Sequence, residues 1–207
     1  MNKLHKVKAE YNKIDPMKGL LEKCFKRFDL ISKGIVVVTQ SSTFSGYNNA
    51  SILLYRKEGY TWASNSVPNT WFELYFPYHF LEITGYAFMQ EKYDDEITRA
   101  WKISCMMNNG ETVLHNQPDT SIFCDGKTGM DNICGSYDKQ SFPVNTVMLC
   151  NRFRITQTGP NGRPSDHFVL SGFELFGTIY YAKADICSVC RRKSFNNVLF
   201  MCLIVSN

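Results

Sequence analysis

The chain has 207 residues, 44% of them hydrophobic and 14% aromatic, with 23 Lys+Arg against 19 Asp+Glu and 8 Cys. A domain of about this length hides roughly 70% of its unfolded surface, so the composition excludes an intrinsically disordered chain, and size alone calls for no disulfide or metal. The longest apolar run, Val198 to Val205, falls well short of the ~20 residues of a membrane-spanning helix.

The net charge of +4 is unevenly spread: residues 1 to 34 carry +5, residues 182 to 207 carry +3, and the 147 residues between them carry −4. Basic ends on an acidic body point to a polyanionic partner surface, or to ends that are simply solvated. The amino terminus, Met1-Asn2-Lys3-Leu4-His5-Lys6-Val7-Lys8, is charged with no apolar stretch behind it, unlike a secretory signal. A cytoplasmic location is the expectation. There the cysteines are reduced, buried thiols, and the lone sequon Asn49-Ala50-Ser51 meets no glycosylation machinery.

Met17, Leu20, Leu21, Cys24, Phe25 and Phe28 recur at helical spacing, which predicts an amphipathic helix over 16–28 with Asp15 as N-cap and Pro16 in the first turn. Beyond Gly34 the period changes to two. Strands are expected at 35–39, 51–55, 71–76, 81–89, 100–107, 147–156 and 168–180, the last broken near Ser171-Gly172. Turns such as Asn108-Asn109-Gly110, Cys124-Asp125-Gly126 and Gly159-Pro160-Asn161-Gly162 separate them. Many short strands with little helix predict an all-β antiparallel sandwich.

The order Thr39-Gln40-Ser41-Ser42, Trp62-Ala63-Ser64, Asn69-Thr70-Trp71-Phe72-Glu73-Leu74, Ile83-Thr84-Gly85-Tyr86 and Trp101-Lys102-Ile103-Ser104 resembles a discoidin domain, the coagulation-factor C-type module. The most specific stretch runs from Arg152-Phe153-Arg154-Ile155 to Pro160-Asn161 and resumes at Leu170-Ser171-Gly172-Phe173-Glu174-Leu175-Phe176-Gly177-Thr178; it is similar to the intracellular, protist-type branch of that family. The resemblance spans residues 19–181 and implies a discoidin-like (galactose-binding-like) jelly-roll β-sandwich with a short N-terminal helix. Residues 1–18 are then a basic N-terminal extension and 182–207 a basic, apolar C-terminal tail. It also implies that the end-to-end disulfide of the secreted branch is absent, because the closing strand offers Cys24 no partner. Members bind sugars, lipid headgroups, collagen or proteins, so the fold leaves function to the site.

By the same resemblance, ligands meet loops at one end of the sandwich: Phe44, Tyr47 and Asn48 in one, Tyr60 in the next, and Tyr93, Asp94 and Asp95 in a third. Aromatic rings beside Asn and Asp suit stacking on a sugar ring and hydrogen bonding to its hydroxyls. The acids of the third loop, with Glu91 and Glu96, disfavour an anionic bilayer. Trp62 and Trp71 are expected in the core between the sheets. Arg152 and Arg154 share a strand face; the resemblance implies that Arg154 anchors a neighbouring loop or carboxylate, with a ligand role as the second choice.

Chemistry-bearing motifs are incomplete. Cys187 and Cys190 have zinc-knuckle spacing without a second close pair, Ser165-Asp166-His167 are consecutive and so diverge, and Gly126-Lys127-Thr128 lacks the first glycine of a phosphate loop. No catalytic residue, metal or cofactor is assigned. The leading expectation is a non-catalytic intracellular binding or scaffold module. It would dock Lys3, Lys6, Lys8, Arg191, Arg192 and Lys193 on a protein partner with an acidic surface, tubulin in the microtubule being one candidate. The alternative is a carbohydrate-binding module using the loop residues. Nucleic-acid contact through the ends would be nonspecific, since the body lacks a basic face with interleaved aromatics.

Overall fold

The computed structural model describes residues 4–25, 29–91, 96–107, 110–119, 123 and 137–182. Lys3, Tyr93, Asp94, Asp95, the Cys187/Cys190 pair, Gly126 to Thr128 and Arg191 to Lys193 lie outside the described residues. The elements are β1 (Leu4–Ala9), α1 (Leu20–Phe25), β2 (Val37–Gln40), a 3-10 turn (Ala50–Tyr55), β3 (Trp62–Ala63), β4 (Trp71–Tyr75), β5 (Phe80–Met89), β6 (Trp101–Met107), β7 (Gly110–Gln117), β8 (Lys139–Pro143), β9 (Leu149–Cys150), β10 (Arg152–Gln157), β11 (Val169–Leu170) and β12 (Gly172–Ala182). Among the described residues no helix is long and apolar enough to cross a membrane.

Alternation decides which face each strand buries. Trp101, Ile103 and Cys105 of β6 and Phe153 and Ile155 of β10 point inward and are fully buried. One antiparallel sheet runs β1-β12-β5-β8, with β9 also on β5; the other runs β2-β4-β10-β6-β7, and β3 pairs with β11 at one end. The core between them is aromatic, with Phe72 against Phe173 at 5.3 Å and Phe88 against Trp101 at 5.1 Å. Such tilted and edge-on pairs match ring quadrupoles better than face-to-face stacking. Tyr86 is buried among them and its hydroxyl is satisfied twice, accepting from Trp101 Nε1 and bonding His115 Nδ1, both at 2.7 Å. Burial pushes the Tyr86 hydroxyl up and the His115 imidazole down, which favours the neutral form of both.

The sandwich predicted from the alternation is present, and several local expectations are corrected. Residues 51–55 are not a strand: Ala50, Leu53 and Leu54 are buried, a spacing that suits a helical turn, and Asn49 caps it. The helix begins at Leu20 rather than Pro16, because Asp15 closes a separate turn with Lys18. The cap of α1 is Glu174 of β12, whose Oε1 and Oε2 accept the Leu21 and Glu22 amides at 2.7 and 2.9 Å. Gly19 makes the approach feasible, since a Cβ there would lie 2.6 Å from Glu174 Cγ. The stretch 147–156 is two strands, crossing from one sheet to the other at Asn151. β1, β3, β7 and β8 had no predicted element; β1 alternates too, with Ala9 buried and Lys6 and Lys8 exposed, and it pairs with β12. Finally, Cys105 and Cys150 are not reduced thiols but a disulfide that ties the two sheets together.

Candidate functional site

At the end of the sandwich where β2, β3 and β10 hand over to loops, three segments converge. The loop after β2 is pinned by Phe44 N–H to Ala63 O (2.8 Å) and by Trp62 Nε1 to Ser42 O (3.2 Å). The loop after β3 is joined to it by Asn65 N–H on Ser42 Oγ (3.0 Å). The loop after β10 reaches both: Asp166 N–H donates to Ser66 Oγ (3.2 Å), and the Ser66 and Ser165 hydroxyls lie 3.3 Å apart. The result is an aromatic surface in which the Phe44 ring stands edge-on to His167 at 4.9 Å and 6.0 Å from Tyr47. Phe44 is 42% exposed. Asn65, Ser66 and Asp166 belong to the loops that meet there.

His167 is held in one orientation. Its Nδ1 lies 2.7 Å from Ser64 O, a carbonyl that can only accept, so Nδ1 carries a proton, and in the neutral ring Nε2 is the acceptor. Ser64 itself is buried and accepts Phe168 N–H at 2.9 Å. Asn161, also buried, organises the β10–β11 loop: Nδ2 donates to His167 O, and Oδ1 accepts the amides of Arg163 and Ser165. Ser165, Asp166 and His167 form no relay, because the serine hydroxyl accepts the His167 backbone amide instead.

Of the loop residues named from the sequence, Phe44 and Tyr47 meet in this surface. Asn48 is spent on structure, its amide and side-chain Nδ2 both donating to Thr61 O. Tyr60 occupies the neighbouring turn, 39% exposed, with Lys57 Nζ 4.7 Å over its ring. That turn is anchored by Arg56, whose guanidinium lies 3.7 Å from the buried Glu174 carboxylate. Burial pushes the Glu91 carboxyl up, against a hydrogen bond from Thr61 and with Glu96 adding like charge. His167, Asn65, Ser66 and Asp166 were not singled out as ligand-facing from the sequence. For Asp166 and His167 the signal was the run Ser165-Asp166-His167, two residues beyond the Gly159-Pro160-Asn161-Gly162 turn; Asn65 and Ser66 carried none. Among the described residues no group of three His, Cys, Asp or Glu is placed to hold a metal.

No protein-family model matches the sequence, and no curated protein matches it. Solved structures do match in fold. The family 32 carbohydrate-binding module of NanJ from Clostridium perfringens, in complex with galactose, superposes with a TM-score of 0.51 at 9% identity, over 72% of this chain and 95% of that one. A second C. perfringens module, CpGH89CBM32-5 in complex with GalNAc-β-1,3-galactose, gives 0.53 at 9% identity over 70% and 97%. The fucolectin of striped bass (Morone saxatilis) serum gives 0.52 at 11% identity, over 70% of this chain and 47% of that one. The chain has the discoidin-like, galactose-binding-like fold.

In this discoidin-like domain the two arginines on the outer face of the second sheet are held by neighbours within it. Trp71 lies there and not in the core, under the Arg154 guanidinium at 4.1 Å. Arg154 also binds Glu73 through Nε at 3.0 Å and a terminal nitrogen at 2.9 Å, and Arg152 covers Tyr75 at 4.6 Å. The carboxylate expected to hold Arg154 is therefore Glu73, and both arginines serve the sheet. Lys8, one of the basic docking candidates, is paired with Glu10 at 2.6 Å, and Lys6 is exposed beside it.

Proposed function

We propose that the domain is a carbohydrate-binding module that receives its ligand on the Phe44, Tyr47 and His167 surface. The observation that carries this reading is the cluster of exposed Phe44 with half-buried Tyr47 and His167, on loops shared with Asn65, Ser66 and Asp166 that are braced from below. The C–H face of a pyranose stacks on Phe44 or Tyr47, while its hydroxyls donate to Asp166 and His167 Nε2 and pair with Asn65 and Ser66. Support also comes from the fold, because two of its structural neighbours hold galactose and GalNAc-β-1,3-galactose. Galactose-type sugars are therefore the first probes. The scaffold reading rested on charge at the two ends, where Lys8 forms an exposed surface pair with Glu10.

The test is calorimetric titration of the full chain with galactose and N-acetylgalactosamine, followed by a glycan array. Binding that Phe44→Ala and His167→Ala both weaken supports the reading. An array without a hit, or a sugar whose affinity neither substitution changes, overturns it.

A further inference from the structure

Two independent features bear on one surface residue. Cys105 and Cys150 are joined across the sheets and both are buried. Disulfides of this structural kind form in oxidising compartments and are rare where glutathione and thioredoxin keep thiols reduced. The sequence holds one Asn-x-Ser/Thr sequon, Asn49-Ala50-Ser51, and the fold puts it on the surface. Asn49 is exposed at the N-cap of the 3-10 turn. Its Oδ1 accepts the Ser51 amide at 3.1 Å and the Ser51 hydroxyl, so the cap is made by the oxygen and does not use Nδ2. Ala50, Leu53 and Leu54 carry the buried side of the turn.

We propose that Asn49 is an N-glycosylation acceptor and that the chain matures in an oxidising secretory compartment. The donor class is an oligosaccharide carried on a polyprenyl pyrophosphate, used by the compartment's own transferase. Asn49 Nδ2 attacks C1 of the first sugar: the N–C1 bond forms, and the bond from C1 to the pyrophosphate oxygen breaks. The lipid pyrophosphate leaves with that electron pair, and Nδ2 gives up one proton to a base of the transferase. A sugar on Nδ2 leaves Oδ1 free to cap the turn, so the modification and the fold are compatible. The glycan then stands one residue from Asn48 and two from Tyr47, at the rim of the aromatic surface.

The full chain isolated from its own cells is compared by gel mobility and intact mass before and after peptide N-glycosidase. Its thiols are alkylated under denaturing conditions with and without reductant. The expected result is a mobility shift lost on deglycosylation, Asn49 read as Asp in the released peptide, and Cys105 and Cys150 alkylated only after reduction. Asn49→Asp, which keeps a capping oxygen, should lose the glycan without losing the fold, and Ser51→Thr should retain both. Unmodified Asn49 in the isolated protein, or Cys105 and Cys150 alkylated without reductant, overturns the proposal.

Discussion

Replacing Glu174 by alanine should unseat both α1 and the turn that carries Tyr60. The side chain is fully buried, and it accepts the amides of Leu21, Leu175 and Glu22 at 2.7, 2.8 and 2.9 Å with Arg56 Nε 3.7 Å away. Alanine removes that acceptor from all four groups. Deleting one partner of a buried pair costs about 3–5 kcal/mol. At roughly 2–4 °C per kcal/mol for a chain of this size, the melting midpoint should fall by about 6–20 °C. Glu174→Gln is milder, since its carbonyl oxygen still serves Leu21 and Leu175 while its NH2 meets the Glu22 amide; that loss is about 1–3 kcal/mol.

The same residue predicts a pH dependence whose sign can be worked out. Burial pushes the Glu174 carboxyl up to about 7 from its ordinary 4.5, against the pull of Arg56 and of the Leu175, Glu22 and Leu21 amides. The folded state therefore holds the proton more tightly than the unfolded chain. Stability from this group is fully present below about pH 4.5 and is lost as the pH rises through about 7, by roughly 3 kcal/mol at most. The Gln variant carries no such proton, so its deficit against wild type should shrink between about pH 5 and about pH 8. Urea unfolding followed by tryptophan fluorescence reads both quantities. A wild type that instead gains on Glu174→Gln as the pH rises would show that the amides and Arg56 outweigh burial. An Ala variant with the wild-type midpoint would refute the anchoring role.

Phe44→Ala should weaken a galactose-type ligand at least tenfold, about 1.4 kcal/mol, with an unchanged urea midpoint; calorimetry that finds equal affinity removes Phe44 from the platform. Tyr86→Phe leaves the buried Trp101 N–H without its acceptor and should lower stability by about 1–3 kcal/mol in urea while sugar affinity holds. Gly177 has φ 135°, and a Cβ there would lie 2.0 Å from Glu82 O. Gly177→Ala should therefore open the β5–β12 pairing and destabilise by more than about 2 kcal/mol, visible as a lower melting midpoint. Reducing the Cys105–Cys150 bond, which spans 45 residues, should lower stability by about 4 kcal/mol on loop-closure entropy; an unchanged midpoint in reductant would contradict a structural role.

What could be read from the sequence divides along a physical line. Strands buried on one face and wet on the other, such as β6 and β10, announced themselves because every second residue is apolar. β1 alternates as well, but its polar positions are Lys6 and Lys8, so it read as a charged tail. β8 buries Phe142 as its one fully enclosed residue, and β7 buries Leu114, too few apolar positions to set a period. The turn at Ala50–Tyr55 misled in the opposite sense, since five residues rich in Ile, Leu and Tyr suit a strand until Asn49 caps them into a helical turn. The disulfide escaped because residues 105 and 150 share no spacing motif; β6 and β9 belong to different sheets, and tertiary packing alone brings them together.

The loop end was legible in its residue types and not in its wiring. Phe44 and Tyr47 could be named because the resemblance to discoidin domains implies ligands on the loops at this end, and rings beside Asn suit stacking on a sugar. Their partners could not, because the bonds that assemble the surface join residues far apart in the chain: Asn65 to Ser42, Asp166 to Ser66, His167 to Ser64. The consecutive order Ser165-Asp166-His167 argued against a relay, and it gave no sign of how the three residues are placed in the fold. With Asn161 holding the backbone from inside the loop, the Ser165 hydroxyl and the Asp166 amide turn toward Ser66, which leaves the His167 ring free to stand against Phe44. A loop braced by a buried side-chain amide can therefore present its polar residues outward without losing order. That is the condition under which a few exposed groups select a small polar ligand.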